Sequence, residues 1–126
     1  MQVRDDDARP TKIATVTPVS SADRIAAQND ALRRHRTGGR LFLTPGVVRM
    51  GDETITLVLD TVARFTAFTA DNDPHGEHDF GAFEHDEIRL VWKIDYYDTD
   101  LRYGSLDPSD PAVTTRVLTI MLADEY

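Results

Sequence analysis

Cysteine is absent from the chain, which excludes disulfides, thiolate nucleophiles and cysteine-bound zinc together. Long apolar runs are absent as well. No window approaches the roughly 18 consecutive apolar residues of a membrane span, and the opening MQVRDDDARPTK lacks the apolar stretch of a secretory signal. A cytoplasmic protein that avoids membranes is expected. Hydrophobic residues at 40% and charged residues at 29% fit an ordinary globular domain rather than a disordered chain. With 126 residues, one domain can bury roughly two thirds of its unfolded surface and needs no staples.

Positive charge is scarce in one particular place. Residues 1–50 hold nine Lys and Arg against five Asp, whereas residues 51–126 hold five against seventeen acids. Residues 71–110 carry twelve acids against Arg89, Lys93 and Arg102, a segment balance of −9 within a chain of net charge −8. Such a surface repels nucleic acid and attracts basic partners; solubility is the commoner use of such charge. Direct nucleic-acid binding is therefore not expected of this half.

Residues 1–19 are polar, with Asp5, Asp6, Asp7, Pro10 and Pro18, and read as a flexible N-terminal arm before a single domain over residues 20–126. Ser20 followed by Asp23 predicts a capped helix running to about Arg36, where Gly38 and Gly39 stop it. Its arginines Arg24, Arg33, Arg34 and Arg36 suit either phosphate or the chain's own acids. GRLFLTPGVVRM, residues 39–50, reads as two short apolar runs around a type II turn at Pro45-Gly46. Residues 52–69 place Ile55, Val58, Leu59, Val62, Phe65 and Phe68 at helical spacing. EIRLVWKIDYYD, residues 87–98, alternates as a strand, with Ile88, Leu90, Trp92, Ile94 and Tyr96 on one face. HDFGAFE precedes it as the other arm of a hairpin that turns near His85 and Asp86. A long loop of turn residues spans Asp98 to Pro111, and TRVLTIMLA fits a central strand covered on both sides, with a short buried helix fitting nearly as well. The expected architecture is α+β: a small antiparallel sheet of three to five strands with two helices on one face.

The stretch DNDPHGEHDFGAFEHD, residues 71–86, holds three of the four histidines. As a calcium loop it fails at its twelfth position, Ala82, where a bidentate acid belongs. His75, His78 and His85 with Asp79 offer a two-histidine, one-carboxylate metal set, hence a metal-dependent hydrolase or nuclease. Glu77, His78 and Asp79 adjoin as a proton-transfer group. A structural reading also serves: Asp71 and Asn72 before Pro74 form side-chain turns, and His78 or Asp79 ties the loop to backbone. No serine sits in a nucleophile elbow, Gly38-Gly39 is not a phosphate loop, and no cofactor is expected.

The remaining reading takes the acids as a surface. Duplex DNA carries one charge per roughly 1.7 Å of axis, so a rigid array of carboxylates can occupy a groove built for phosphates. Asp71, Asp73, Glu77, Asp79, Glu84, Asp86, Asp95, Asp98, Asp100, Asp107 and Asp110, with Tyr97 as an aromatic anchor, are the residues expected to meet a basic protein partner.

The stretches GGRLFLTPGV, DNDP-x-GEHDFGAFE around His75, WKIDYYD and DPAVTTRVLTIMLADEY, with the helix RIAAQNDALRR, resemble a bacterial family of unknown function. It comprises short proteins often encoded on plasmids and integrative elements. The resemblance runs from about Asp23 to Tyr126. It implies a mobile-element setting, in which small acidic proteins are frequently inhibitors of restriction or CRISPR machinery. The leading expectation is a non-enzymatic anti-defence protein that docks a basic, nucleic-acid-binding complex by charge mimicry. The alternatives are the metal-dependent enzyme and a DNA-binding regulator using the basic first helix.

Overall fold

A computed structural model describes residues 19–126; the expected flexible arm falls almost wholly outside them. Helix α1, Ser21–His35, begins where the Ser20 hydroxyl accepts from the Asp23 N–H at 3.0 Å. It ends where Arg36 turns left-handed (φ 55°) and donates its N–H to Leu32 O, ahead of the glycine pair as expected. Strand β1, Arg40–Leu43, follows.

Pro45-Gly46 does not make a type II turn. Pro45 instead opens a one-turn helix, α2, Pro45–Val48, with its fixed φ at the first helical position. Glu125, at the far end of the chain, holds this turn. Its carboxylate accepts from the Thr44 hydroxyl at 2.6 Å, the Leu122 N–H at 2.8 Å and the Gly46 N–H at 3.0 Å. These bonds depress the Glu125 pKa below its ordinary 4.5, the Thr44 hydroxyl foremost. A depressed carboxylate stabilises the fold fully above its ordinary value and loses that contribution as pH falls through the folded value. Glu125→Gln is therefore expected to lower the thermal midpoint above pH 4.5, with the gap from the unaltered protein closing as the solution is acidified below it.

Helix α3, Asp52–Arg64, stops short of the expected residue 69. Phe65 goes extended, and Phe65 and Phe68 turn inward to meet the Trp92 ring edge-on at 5.5 and 6.1 Å. The freed carbonyls at this end receive a cation: Arg33 donates to Val62 O at 2.7 Å and to Phe65 O at 3.0 Å.

Strands β2, Phe80–His85, and β3, Ile88–Tyr97, form the expected hairpin. Its two-residue turn is Asp86-Glu87, with φ of 48° and 68°, the mirror-image turn that suits strand twist. Strand β4, Thr115–Leu122, is central, in the order β1-β4-β3-β2. The class is α+β, and the sheet is mixed: β3 runs antiparallel to both neighbours, while β1 lies parallel to β4.

One face of the sheet carries the core. Leu90, Trp92, Ile94, Leu118 and Ile120 pack with Leu32 of α1, Val47 of α2 and Val58 and Val62 of α3. On β3 the expected face is kept except at Ile88, which is exposed at the hairpin end. The opposite face is covered only in part. Val91 and Met121, paired across the strands, are buried there, but Phe42 is 57% exposed. A groove of about 600 Å³ runs beside Phe42, Tyr97, Leu101, Val117 and Thr119, so β4 is not covered on both sides. No helix of the described residues is long and apolar enough to cross a membrane.

Candidate interaction surface

The acids of residues 71–79 turn inward. Asp73 is buried, and its carboxylate accepts the backbone N–H groups of Glu77 at 3.0 Å and His78 at 3.1 Å. That closes a turn in which Gly76 and His78 are left-handed. Asn72 binds backward rather than toward Pro74: its Oδ1 accepts from the Thr69 N–H at 2.8 Å and its Nδ2 donates to Ala67 O at 2.8 Å, while Asp71 stays exposed. His78 then clasps α1: its Nδ1 lies 3.0 Å from the Asp30 carboxylate, and its ring stacks flat on Phe68 at 4.1 Å between centroids. Asp30 also accepts from Arg33 at 2.6 Å. Arg33 is fully buried, with its guanidinium 4.8 Å from the Trp92 ring centre. Burial lowers its pKa, and Asp30 works against that shift.

Asn29, fully buried between Ile25 and Leu32, binds three groups at once. Its Nδ2 donates to Glu77 O and to the Tyr96 hydroxyl, both at 2.9 Å. Its Oδ1 accepts from Arg116 Nε at 2.8 Å. The Tyr96 hydroxyl in turn donates to the Glu77 carboxylate at 3.0 Å, and the other end of Arg116 donates to Pro108 O. Burial drives the Tyr96 pKa far above its ordinary value, so the phenol stays a neutral donor.

The metal set expected from His75, His78, Asp79 and His85 does not assemble. Among the described residues, no group of three or more His, Asp or Glu side chains is placed to hold a metal ion. His75 is exposed at the turn, His78 is spent on Asp30, and His85 sits on β2 with Nε2 3.5 Å from Asp86. Asp79 is half-buried, and burial with the neighbouring Glu77 carboxylate raises its pKa. The basic first helix is also partly committed. Arg33 is internal, while Arg24, whose guanidinium donates to Val19 O at 2.7 Å, Arg34 and Arg36 are exposed. The acid that Arg33 meets, Asp30, lies on α1 itself rather than in the acidic half.

The outward acids divide into two groups. Glu84 and Asp86 are exposed at the hairpin tip, with Asp71 exposed elsewhere on the preceding loop. Strand β3, ten residues and about 33 Å long at 3.3 Å per residue, runs from that tip to the second group, whose first members, Asp95 and Tyr97, lie at its far end. Asp95 pairs with Lys93 at 2.7 Å; beyond it come Tyr97, Asp98, Asp100, Asp107 and Asp110. One continuous array over residues 71–110 therefore does not form.

Residues 98–114 present a different feature. Leu106 is 99% exposed, Tyr103 71%, and Leu101 and Val113 41% each. A notch of about 200 Å³ lies among Asp98, Thr99, Leu106, Ala112 and Val113. These apolar groups stand on a pinned backbone. Asp98 N–H donates to Tyr103 O at 2.8 Å, and Ser105 N–H to Tyr96 O at 3.0 Å. Asp107 accepts from the Ser109 N–H and hydroxyl, bonds that lower its pKa, and Asp110 accepts from the Ala112 N–H. Gln28 and Arg116 grip the carbonyls of Ser109 and Pro108 from beneath.

Sequence reasoning missed Leu101, Leu106, Val113, Asn29, Asp30 and Arg116. Asn29 had a signal, a short polar side chain inside the apolar stripe of α1. Leu106 also had one, an isolated large aliphatic residue in a run of Ser, Asp and Pro. No curated protein and no solved structure matches the chain. Residues 43–125, from the end of β1 through the Glu125 clasp, match the family model described as Protein of unknown function (DUF3768), and the chain belongs to that family.

Proposed function

We propose that this protein is a non-enzymatic binding module that docks a basic partner through residues 98–113. The observation that carries this reading is the combination at that loop. Four apolar side chains are held out in water, among Asp98, Asp100, Asp107 and Asp110, on a backbone already ordered by hydrogen bonds. Exposing such groups costs solubility unless something covers them, and loops of this length without regular structure are usually functional. Pre-ordering lowers the entropy lost on docking. Apolar anchors at the centre of an interface with a charged rim give affinity and orientation respectively.

The mobile-element setting implied by the sequence resemblance narrows the partner to a basic, nucleic-acid-binding defence complex, of restriction or CRISPR type, with the protein as its inhibitor. Charge mimicry then belongs to the Asp95–Asp110 end of the molecule. The inward acids Asp73, Glu77 and Asp79 serve the fold.

Capture from host lysate at low and high salt tests the reading, with three variants beside the unaltered protein. Tyr103→Ala with Leu106→Ala removes exposed anchors and is expected to weaken capture at least about tenfold. Asp100→Lys is expected to weaken it at low salt, and Asp86→Lys at the distant hairpin tip to leave it unchanged. Capture that survives the paired alanine substitutions, or that fails only with the hairpin variant, rules the loop out as the docking site.

A further inference from the structure

The docking loop and the Asp73–Asp79 turn are far apart in sequence, and both hang on the same buried polar groups. From the turn, Glu77 offers its backbone carbonyl to Asn29 Nδ2 at 2.9 Å and its carboxylate to the Tyr96 hydroxyl at 3.0 Å. From the loop, the Pro108 carbonyl is held by Arg116, whose Nε donates to Asn29 Oδ1 at 2.8 Å. Asn29 has one amide, and its two ends are committed to opposite sides. The carbonyl end faces only the Arg116 cation, and the amino end faces only the acceptors Glu77 O and Tyr96 Oη. Asn29 and Arg116 are buried, so no water substitutes freely for a lost bond, and an unmatched group costs its full desolvation. The Arg116 guanidinium also lies 5.2 Å from the Tyr96 ring centre, which ties its position to the phenol as well.

We propose that Asn29 and Arg116 are positioning residues that make the Asp73–Asp79 turn and residues 105–114 one cooperative unit, so that whatever orders one segment orders the other. The assignment of the loop as a docking surface gives this coupling its use: a partner on the loop would tighten the turn, and a contact on the turn would preorganise the loop. The coupling itself needs no partner, and linkage makes it reciprocal.

Native-state hydrogen exchange on the full chain tests it. Glu77→Ala removes the acceptor of the Tyr96 hydroxyl. It is expected to speed exchange about three- to tenfold at the Ser109, Asp110 and Val113 amides as well as at His78, with the Trp92 and Ile120 strand amides unchanged. In an Arg116→Lys background, which cannot reach both partners, the same substitution is expected to leave the loop amides where that background already has them. From the other side, Asp107→Asn is expected to speed the Glu77 and His78 amides. Acceleration confined to the altered segment, equal acceleration of the strand amides, or an effect on the loop that persists undiminished with Arg116→Lys would overturn the coupling. Loss of the docking reading in the capture experiment would leave these exchange results standing.

Discussion

Replacing Asn29 with leucine is expected to destabilise the protein by about 3 kcal/mol or more. Leucine matches the asparagine closely in shape, so little packing is lost. The cost comes from the groups left behind. Arg116 Nε, buried and cationic, loses its acceptor, and Glu77 O and the Tyr96 hydroxyl lose a donor. A domain of this size has a total stability of roughly 5–15 kcal/mol, so the change is a large fraction of the whole. Urea unfolding followed by the fluorescence of Trp92, the single tryptophan and fully buried, measures it as a shift in midpoint at constant slope. The cause is separable from generic core damage. Arg116→Met in the Asn29→Leu background removes the orphaned cation and is expected to restore part of the loss, because the buried charge is gone. The recovery stays partial because Glu77 O, the Tyr96 hydroxyl and Pro108 O remain without those donors. A single-variant loss below about 1 kcal/mol, or a double variant that is simply additive, would show that the amide does not organise this region.

Gly81→Ala is expected to be comparably severe, about 3 kcal/mol, at the upper end of overpacking costs. A β-carbon at Gly81 would stand 2.3 Å from Trp92 Nε1, 2.7 Å from Trp92 Cε2 and 2.8 Å from Phe65 Cζ. The indole has no room to yield. Phe65 and Phe68 meet it edge-on, and the Arg33 guanidinium stacks against it, with Arg33 anchored to Asp30 and two backbone carbonyls. Relief must come from β2, an edge strand with a single neighbour. The expected signature is a red-shifted Trp92 emission with lost exchange protection along Phe80–His85 and retained protection in β4. A variant that unfolds at the native midpoint would mean that β2 shifts without cost.

Much of the fold was legible because its signals are local. Ser20 and Asp23 mark a helix start whatever lies elsewhere, and the alternation of Leu90, Trp92 and Ile94 marks a strand by its own period. What could not be read depends on contacts distant in sequence. Pro45-Gly46 forms a helical turn because Glu125 caps it, and α3 ends at Arg64 because Arg33 and Trp92 draw in the carbonyls and rings that follow. β1 lies parallel to β4 through pairing that no local pattern announces. The acids illustrate the same limit at the candidate site. Composition counted twelve between residues 71 and 110, but whether a carboxylate faces water depends on which backbone N–H groups come within reach. Asp73 found two of them and turned inward, whereas Asp100 found none of the described side-chain bonds and stayed out.

The parallel pairing of β1 also constrains how the molecule is made. Arg40 lies opposite Val117 and Leu43 opposite Ile120, so this edge cannot pair until the chain through Ile120 has left the ribosome. Until then Leu41 and Leu43 have no β4 to rest on, and closing so long a loop is slow. The nascent chain consequently carries a sticky hydrophobic strand while the residues between β1 and β4 are made, a window in which chaperone capture competes with aggregation.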